Sequence, residues 1–155
     1  MSEEQRALDL AYKALNRRER TVYELRAHLE GKLVEPVAID AAVAELERAG
    51  LLDDARFAAR FAEDKRLLER WGAERIEREL LRRGVARDLV ETAVAARDRE
   101  DELGSALALH AERVRELPAD DRARDRAWRM LVRKGYEPEL AYDAVRAHSA
   151  GRQPL

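Results

Sequence analysis

The sequence predicts an all-helical protein built as a tandem array of three three-helix repeats, elongated and curved. Three observations carry this. Apolar residues recur at helical spacing along nearly the whole chain, and no stretch shows the period-two alternation or the Asn-Gly turn of a β-hairpin. Glycines stand at Gly31, Gly50, Gly84 and Gly135, where helix periodicity stops. A block of the second repeat also reappears in the third at a constant offset: Ile76 to Ala127, Leu80 to Leu131 and Gly84 to Gly135, each 51 positions on.

The elements follow in order. Residues 4–15 put Ala7, Leu8, Ala11, Ala14 and Leu15 on one face, a first helix closed by the polar corner Arg17–Arg20. Thr21 and Glu24 form a capping box that opens a second, with Val22, Leu25 and Leu29 inward and a stop near Gly31. Pro36 opens the third, whose Ile39, Ala42, Val43 and Leu46 face inward before Gly50. Asp53 or Asp54 caps the fourth, with Phe57, Ala58, Phe61 and Leu68 as its apolar stripe. A corner at Trp71–Gly72, wedged by Trp71, leads to the fifth, where Ile76, Leu80 and Leu81 face inward up to Gly84. The sixth spans about 87–98 with Leu89, Val90, Ala93 and Val94 inward. The seventh runs 101–117, lined by Leu103, Leu107, His110 and Val114, and Pro118 ends it. Asp120 or Asp121 caps the eighth, with Ala127, Trp128, Leu131 and Val132 inward, and Gly135 stops it. Pro138 opens the ninth, carrying Leu140, Ala141, Ala144 and Val145. The repeats are placed at 4–50, 51–99 and 100–148, with 149–155 a flexible tail. Copy one fits more loosely, 52 or so residues before copy two, with an insertion around Glu35–Pro36.

Composition narrows the function. The 155 residues are 40% charged and 5% aromatic, with a formal net charge of −2, so Ala and Leu fill the core and no uniform basic coat exists. Without cysteine there is no disulfide, thiol nucleophile or zinc–thiolate site. No apolar run reaches the ~20 residues of a membrane span, and the first ten residues lack a signal-peptide core, so the expected location is cytoplasmic. His28, His110 and His148 have no metal-ligand spacing, and His110 reads as a core residue. The paired acids Asp53–Asp54 and Asp120–Asp121 sit where helix caps belong. None of Ser2, Ser105 and Ser149 has a base partner, and no phosphate-binding glycine loop is present. The expectation is a protein that is not an enzyme and takes no cofactor or metal.

A repeated cationic stripe remains. At 100° per residue, Arg75, Arg78 and Arg82 fall within about 60° of one another, opposite Ile76 and Leu80. Their counterparts are Arg126, Arg129 and Arg133, and copy one keeps only Arg26 of the trio. Such a stripe is either a solvated face, with Glu74 and Glu79 pairing weakly across a turn, or a binding surface. Guanidinium forks suit carboxylates and phosphates alike. Nine helices in single file would reach roughly 80 Å.

Several segments resemble the RecX family, regulators of the RecA recombinase. They are Leu15–Arg20 followed by Glu24-Leu25 and Leu29; Gly50-Leu51-Leu52-Asp53-Asp54-Ala55-Arg56-Phe57-Ala58; and Gly72, Arg75-Ile76, Glu79-Leu80 and Gly84-Val85. In copy three they are Arg124, Arg126 and Leu131-Val132-Arg133-Lys134-Gly135-Tyr136, with Lys134, Tyr136 and Trp128-Arg129-Met130 departing from the usual residues. The resemblance covers roughly residues 8–145. It implies a helical-repeat protein, expected to be a monomer on other grounds than the resemblance, that lies in the groove of the RecA filament on single-stranded DNA. There it would block extension and suppress ATPase and strand exchange in DNA repair and the SOS response. The candidate filament-binding residues are the two stripes with Arg26, Arg83 and Lys134. The alternative is a helical DNA-binding or scaffold protein whose arginine faces track phosphates, which would bind bare DNA and lose it as salt rises. The net charge of −2 favours the filament reading, with direct DNA contact secondary and weak.

Overall fold

The structure is a computed structural model that describes residues 1–151. Those residues form nine helices and no strand: α1 (Glu3–Arg17), α2 (Val22–Gly31), α3 (Pro36–Arg48), α4 (Asp54–Glu69), α5 (Ala73–Arg82), α6 (Arg87–Ala95), α7 (Arg99–Arg113), α8 (Asp121–Arg133) and α9 (Pro138–Gly151). None of them is long and apolar enough to cross a membrane. Ser149 belongs to α9, and the last positions of the expected tail lie outside the described residues.

Local chemistry sets the helix ends. Ser2 with Gln5, and Thr21 with Glu24, form capping boxes at α1 and α2. Asp53 accepts from the Arg56 amide at 3.0 Å, Asp98 from Asp101 and Asp120 from Ala123, both at 2.8 Å. Asp54, the other candidate cap of α4, reaches instead to the Val22 amide at 3.0 Å and helps open α2. Gly50, Gly84 and Gly135 take φ of 73°, 83° and 102° at the stops of α3, α5 and α8. Gly31 does not: it lies in the last turn of α2, and Leu33 supplies the left-handed residue with φ of 61°. Arg70 does the same after α4, with φ of 57°.

The turn bonds correct the register of copy one. Leu33 N donates to Glu30 O (2.9 Å) and Val34 N to Leu29 O (3.1 Å). Gly84 to Leu81 and Val85 to Leu80 repeat the pair at 3.0 and 3.1 Å, and Gly135 to Val132 and Tyr136 to Leu131 at 3.0 and 3.2 Å. The third helices begin at Pro36, Arg87 and Pro138, again 51 apart, so copy one is neither displaced by one residue nor interrupted at Glu35. A leucine where the other copies have glycine hides this match in the sequence. At the true register the stripe positions of copy one hold Glu24, Ala27 and Gly31. Arg26 is therefore no counterpart of the stripe.

The described chain falls into two compact units, and each of α4, α5 and α6 is divided between them. The first unit, Met1–Arg60 with Leu80–Val90, has a core of small residues from α1 (Ala7, Ala11, Ala14) against Leu25, Leu29, Ile39, Val43 and Leu46 of α2 and α3. Alanines on α1 let it approach α3 closely, as an apolar face with few aromatics requires. Arg6 of α1 also donates to the Lys32 carbonyl at 2.6 Å, where α2 ends.

The second unit holds Phe61–Glu79 and the chain from Glu91 onward. Its core joins Ala106 and Leu109 of α7, Ala127 and Leu131 of α8, and Leu140, Ala141, Ala144 and Val145 of α9 around the buried ring of Tyr136. The Tyr136 hydroxyl, pushed up to about 12 by burial, donates to the Arg70 carbonyl at 2.7 Å and lies 2.8 Å from Ser105 Oγ. The inward face of α7 is Glu102, Ser105, Ala106, Leu109 and His110, not the expected run of Leu103, Leu107 and Val114, which are half-buried. Other segments receive its polar members: Glu102 accepts from the Ala73 amide at 2.6 Å, Ser105 meets the Tyr136 hydroxyl, and His110 meets His148 of α9 through their Nδ1 atoms, although the buried His110 Nε2 has no hydrogen-bond partner among the described residues. The helix also starts at Arg99 and ends at Arg113, so Pro118 lies in the following loop. On α4, Leu68 is 80% exposed, and Arg66 takes the inward place one turn after Ala62. Its guanidinium donates to Val94 O (2.7 Å) and Ala93 O (3.4 Å), capping the end of α6.

Candidate partner-binding surface

Three of the candidate cations, Arg75, Arg83 and Lys134, lie at two joints at which the end of one copy's second helix meets the start of the preceding copy's. In the first unit the start of α2 meets the end of α5. Thr21 Oγ1 donates to the Arg83 carbonyl at 2.7 Å, and Tyr23 covers Gly84 so closely that a Cβ there would fall inside its side chain. Arg83 grips Glu24 with both faces of its fork, Nε to Oε2 at 3.1 Å and Nη2 to Oε1 at 2.9 Å, and stacks 4.5 Å from the Phe57 ring centre. Burial pushes the Glu24 carboxyl up, but Arg83, the Thr21 amide and the Arg18 charge outweigh it and hold the group below its usual range. Arg83 thus has an intramolecular partner rather than an outward-facing fork.

In the second unit the start of α5 meets the end of α8. The Gly72 amide donates to Lys134 O at 2.8 Å and Glu74 to Gly135 O at 2.9 Å. The backbones of Gly72 and Gly135 touch, and neither has room for a Cβ. The positions of Glu24 and Arg83 are here taken by Arg75 and Lys134, so an ion pair becomes two cations. Arg75 is half-buried and lies 4.1 Å from the centre of the Trp71 ring, which also has Lys65 Nζ at 4.7 Å and Phe61 edge-on at 6.0 Å. Trp71, 8% exposed, does wedge the corner. The expectation that Arg75 points outward beside Arg78 and Arg82 is corrected: the indole draws it back over the corner. Burial pushes the Lys134 ammonium down, the Arg113 and Arg75 charges add to that and the Glu69 charge opposes it in part; among the described residues Nζ donates only to the Glu69 carbonyl, at 3.5 Å.

The remaining candidates are on open helix faces. Arg78 and Arg82 on α5 and Arg126, Arg129 and Arg133 on α8 are exposed, away from Ile76 and Leu80 on the first helix and from Ala127 and Leu131 on the second. Arg129 pairs with Asp125 at 2.7 Å within its own helix, a solvated contact of little strength. Arg26 pairs with Asp40 of α3 at 2.7 Å and stands apart from both stripes in register. Lys65 and Arg113 were not among the expected residues. Lys65 was findable, four residues after Phe61 on the same helix face, whereas nothing in the sequence places Arg113 near Lys134. Among the described residues no group of three or more His, Asp or Glu side chains is arranged to hold a metal.

The nine helices of the described residues, repeating in threes with cationic faces on the second helices of two copies, define a tandem three-helix-repeat protein. Residues 7–46 match the first three-helix domain of RecX, and residues 53–94 match the second. The chain is 36% identical to the regulatory protein RecX of Deinococcus radiodurans over 149 residues, 93% of this chain and 70% of that one. It is 32% identical to the Mycobacterium ulcerans protein of the same name, covering 98% of this chain and 90% of that one. Against a Clostridium botulinum relative, 29% identical, it spans 66% of the relative's length. The crystal structure of RecX from Lactobacillus salivarius shares the fold at 15% identity, with a TM-score of 0.86 over 96% of this chain and 97% of that one. The chain belongs to the RecX family, a family of regulatory proteins rather than of enzymes.

Proposed function

We propose that this protein regulates a RecA recombinase in the cytoplasm, binding as a monomer to RecA filaments on single-stranded DNA. By lying in the filament groove it restrains extension, ATP hydrolysis and strand exchange during DNA repair and the SOS response. The observation that carries this reading is an arginine face on α5 repeated 51 positions later on α8, in a chain that belongs to the RecX family. Two weak cationic faces on one chain bind a repeating partner with an effective concentration that neither has alone. The overall charge of −2 supports contacts made chiefly to protein, with DNA secondary, over the alternative of a scaffold that tracks phosphates.

The test is RecA ATPase activity on single-stranded DNA against concentration of this protein. Wild type is expected to inhibit. Reversing Arg126, Arg129 and Arg133 to Glu should weaken inhibition, as should reversing Arg78 and Arg82, and the two together should lose more than either. Circular dichroism would verify that the variants stay helical. Wild-type inhibition by the folded variant with both faces reversed would remove these faces from the contact. A protein that leaves RecA untouched but binds bare DNA, with steep salt dependence, would establish the scaffold reading instead.

A further inference from the structure

The two joints share backbone geometry and differ in charge. Glu24 neutralises Arg83 at the first (2.9 Å), whereas Arg75 and Lys134 stand at the second with Arg113 nearby. Among the described residues none of these three cations forms an ion pair, although Lys65 is matched by Glu69 (3.0 Å) and Arg70 by Glu112 (3.2 Å) beside them. A half-buried ammonium close to two guanidinium groups is electrostatically unfavourable; the Glu69 charge offsets this in part, but its carboxylate is paired with Lys65 and the net push on Lys134 stays downward. Arg75 is also held in place by the Trp71 ring, so its donors are oriented before any partner arrives.

We propose that Arg75, Arg113 and Lys134 form a seat for a carboxylate side chain of the protein partner. This rests on the filament-binding reading and assigns its charge contact to one place. A single carboxylate fits better than a nucleic-acid strand for two reasons. The flanking Glu69, Glu74 and Glu112 are exposed, and a strand carrying a charge at every nucleotide would run against them. The one aromatic ring at the seat, Trp71, is buried beside Arg75, Lys65 and Phe61 and offers no open face for a base. The seat therefore selects an isolated acidic side chain that can take a fork from Arg75 and an ammonium from Lys134.

The proposal predicts an opposition between stability and binding. Lys134→Met removes a desolvated charge and keeps the length of the side chain, so it should raise the denaturation midpoint. The same variant should need several-fold more protein to inhibit RecA. Lys134→Glu combined with Arg113→Glu should weaken binding to RecA filaments by about tenfold or more. Lys13→Glu, an exposed reversal on α1 that breaks only a solvated pair with Asp9, should leave filament binding unchanged. Filament affinity equal to wild type in the folded Lys134 variants would overturn the seat. So would an equal fractional loss of binding to bare single-stranded DNA, because the seat would then hold phosphate. Failure of the wild type itself to bind filaments would refute the filament reading and leave the seat without its partner.

Discussion

Arg83 and Glu24, 59 positions apart, are bound by two hydrogen bonds of 2.9 and 3.1 Å at the meeting of α5 and α2. Both side chains are more than four-fifths buried, so removing one leaves the other poorly solvated. Arg83→Met should therefore destabilise the protein by about 1–3 kcal/mol at neutral pH. The sign of the pH dependence follows from Glu24, which is held below its unfolded value. Its contribution is fully present above the ordinary carboxylate range and is lost as pH falls through the folded value. Chemical denaturation from pH 7 to pH 3 should show a shallower acid loss in Arg83→Met than in wild type.

Asp54 behaves in the opposite sense. Burial raises its carboxyl, with Glu47, Asp53 and Glu24 adding to the rise and only the Val22 amide opposing it. A carboxylate raised by folding weakens the fold as pH climbs from its unfolded value through its folded one. Asparagine keeps the oxygen that accepts from Val22 and removes the charge. Asp54→Asn should match or exceed wild-type stability at pH 7, whereas Asp54→Ala should lose about 1 kcal/mol of capping. Urea midpoints of the three proteins decide it, and a less stable Asn variant would show that the charge itself is needed.

Gly50 and Gly84 share a left-handed conformation but not their surroundings. A Cβ at Gly50 meets open space, and one at Gly84 meets the Tyr23 side chain. Gly50→Ala should cost about 1–2 kcal/mol, the conformational penalty alone. Gly84→Ala should cost measurably more, because α2 must also shift. Equal thermal midpoints for the two would mean that Tyr23 yields freely.

Arg66 should resist even a conservative change. Its fork bonds two successive carbonyls at the end of α6, and burial already pushes its guanidinium down. Lysine offers a compact, strongly hydrated charge that cannot span both acceptors. Arg66→Lys should destabilise by about 1–3 kcal/mol, seen as a lowered denaturation midpoint with the helix content of the folded protein unchanged.

These cases show where the fold is legible in the sequence. Helix starts at Pro36, Pro138 and the Thr21–Glu24 box, and stops at Gly50, Gly84 and Gly135, follow from the local chemistry of a few adjacent residues. Leu33 is different: its left-handed backbone is held by turn bonds to Leu29 and Glu30, and no residue type announces it. That single leucine conceals the register of copy one and lends Arg26 a false place in the stripe. Periodicity likewise sorts apolar from polar faces, yet Arg66, Glu102 and Ser105 turn inward because remote carbonyls, an amide and a hydroxyl receive them. The candidate surface was legible as a set of matched arginines on α5 and α8. Which of them the fold keeps for itself, Arg83 for Glu24 and Arg75 for Trp71, depends on neighbours that sequence spacing does not reveal.

The carbonyl closing the second helix of each copy has a different guest: the Arg6 guanidinium at Lys32, the Thr21 hydroxyl at Arg83 and the Gly72 amide at Lys134. The last two are links between copies, and the first is a plug supplied by the same copy. At the other extreme, the Ala123 amide, counterpart of Gly72, is occupied by Asp120. A unit that docks tail to head could in principle polymerise without limit. Arg6 and Asp120 act as end groups in the polymer chemist's sense, each satisfying within its own copy a backbone group whose counterpart elsewhere links two copies.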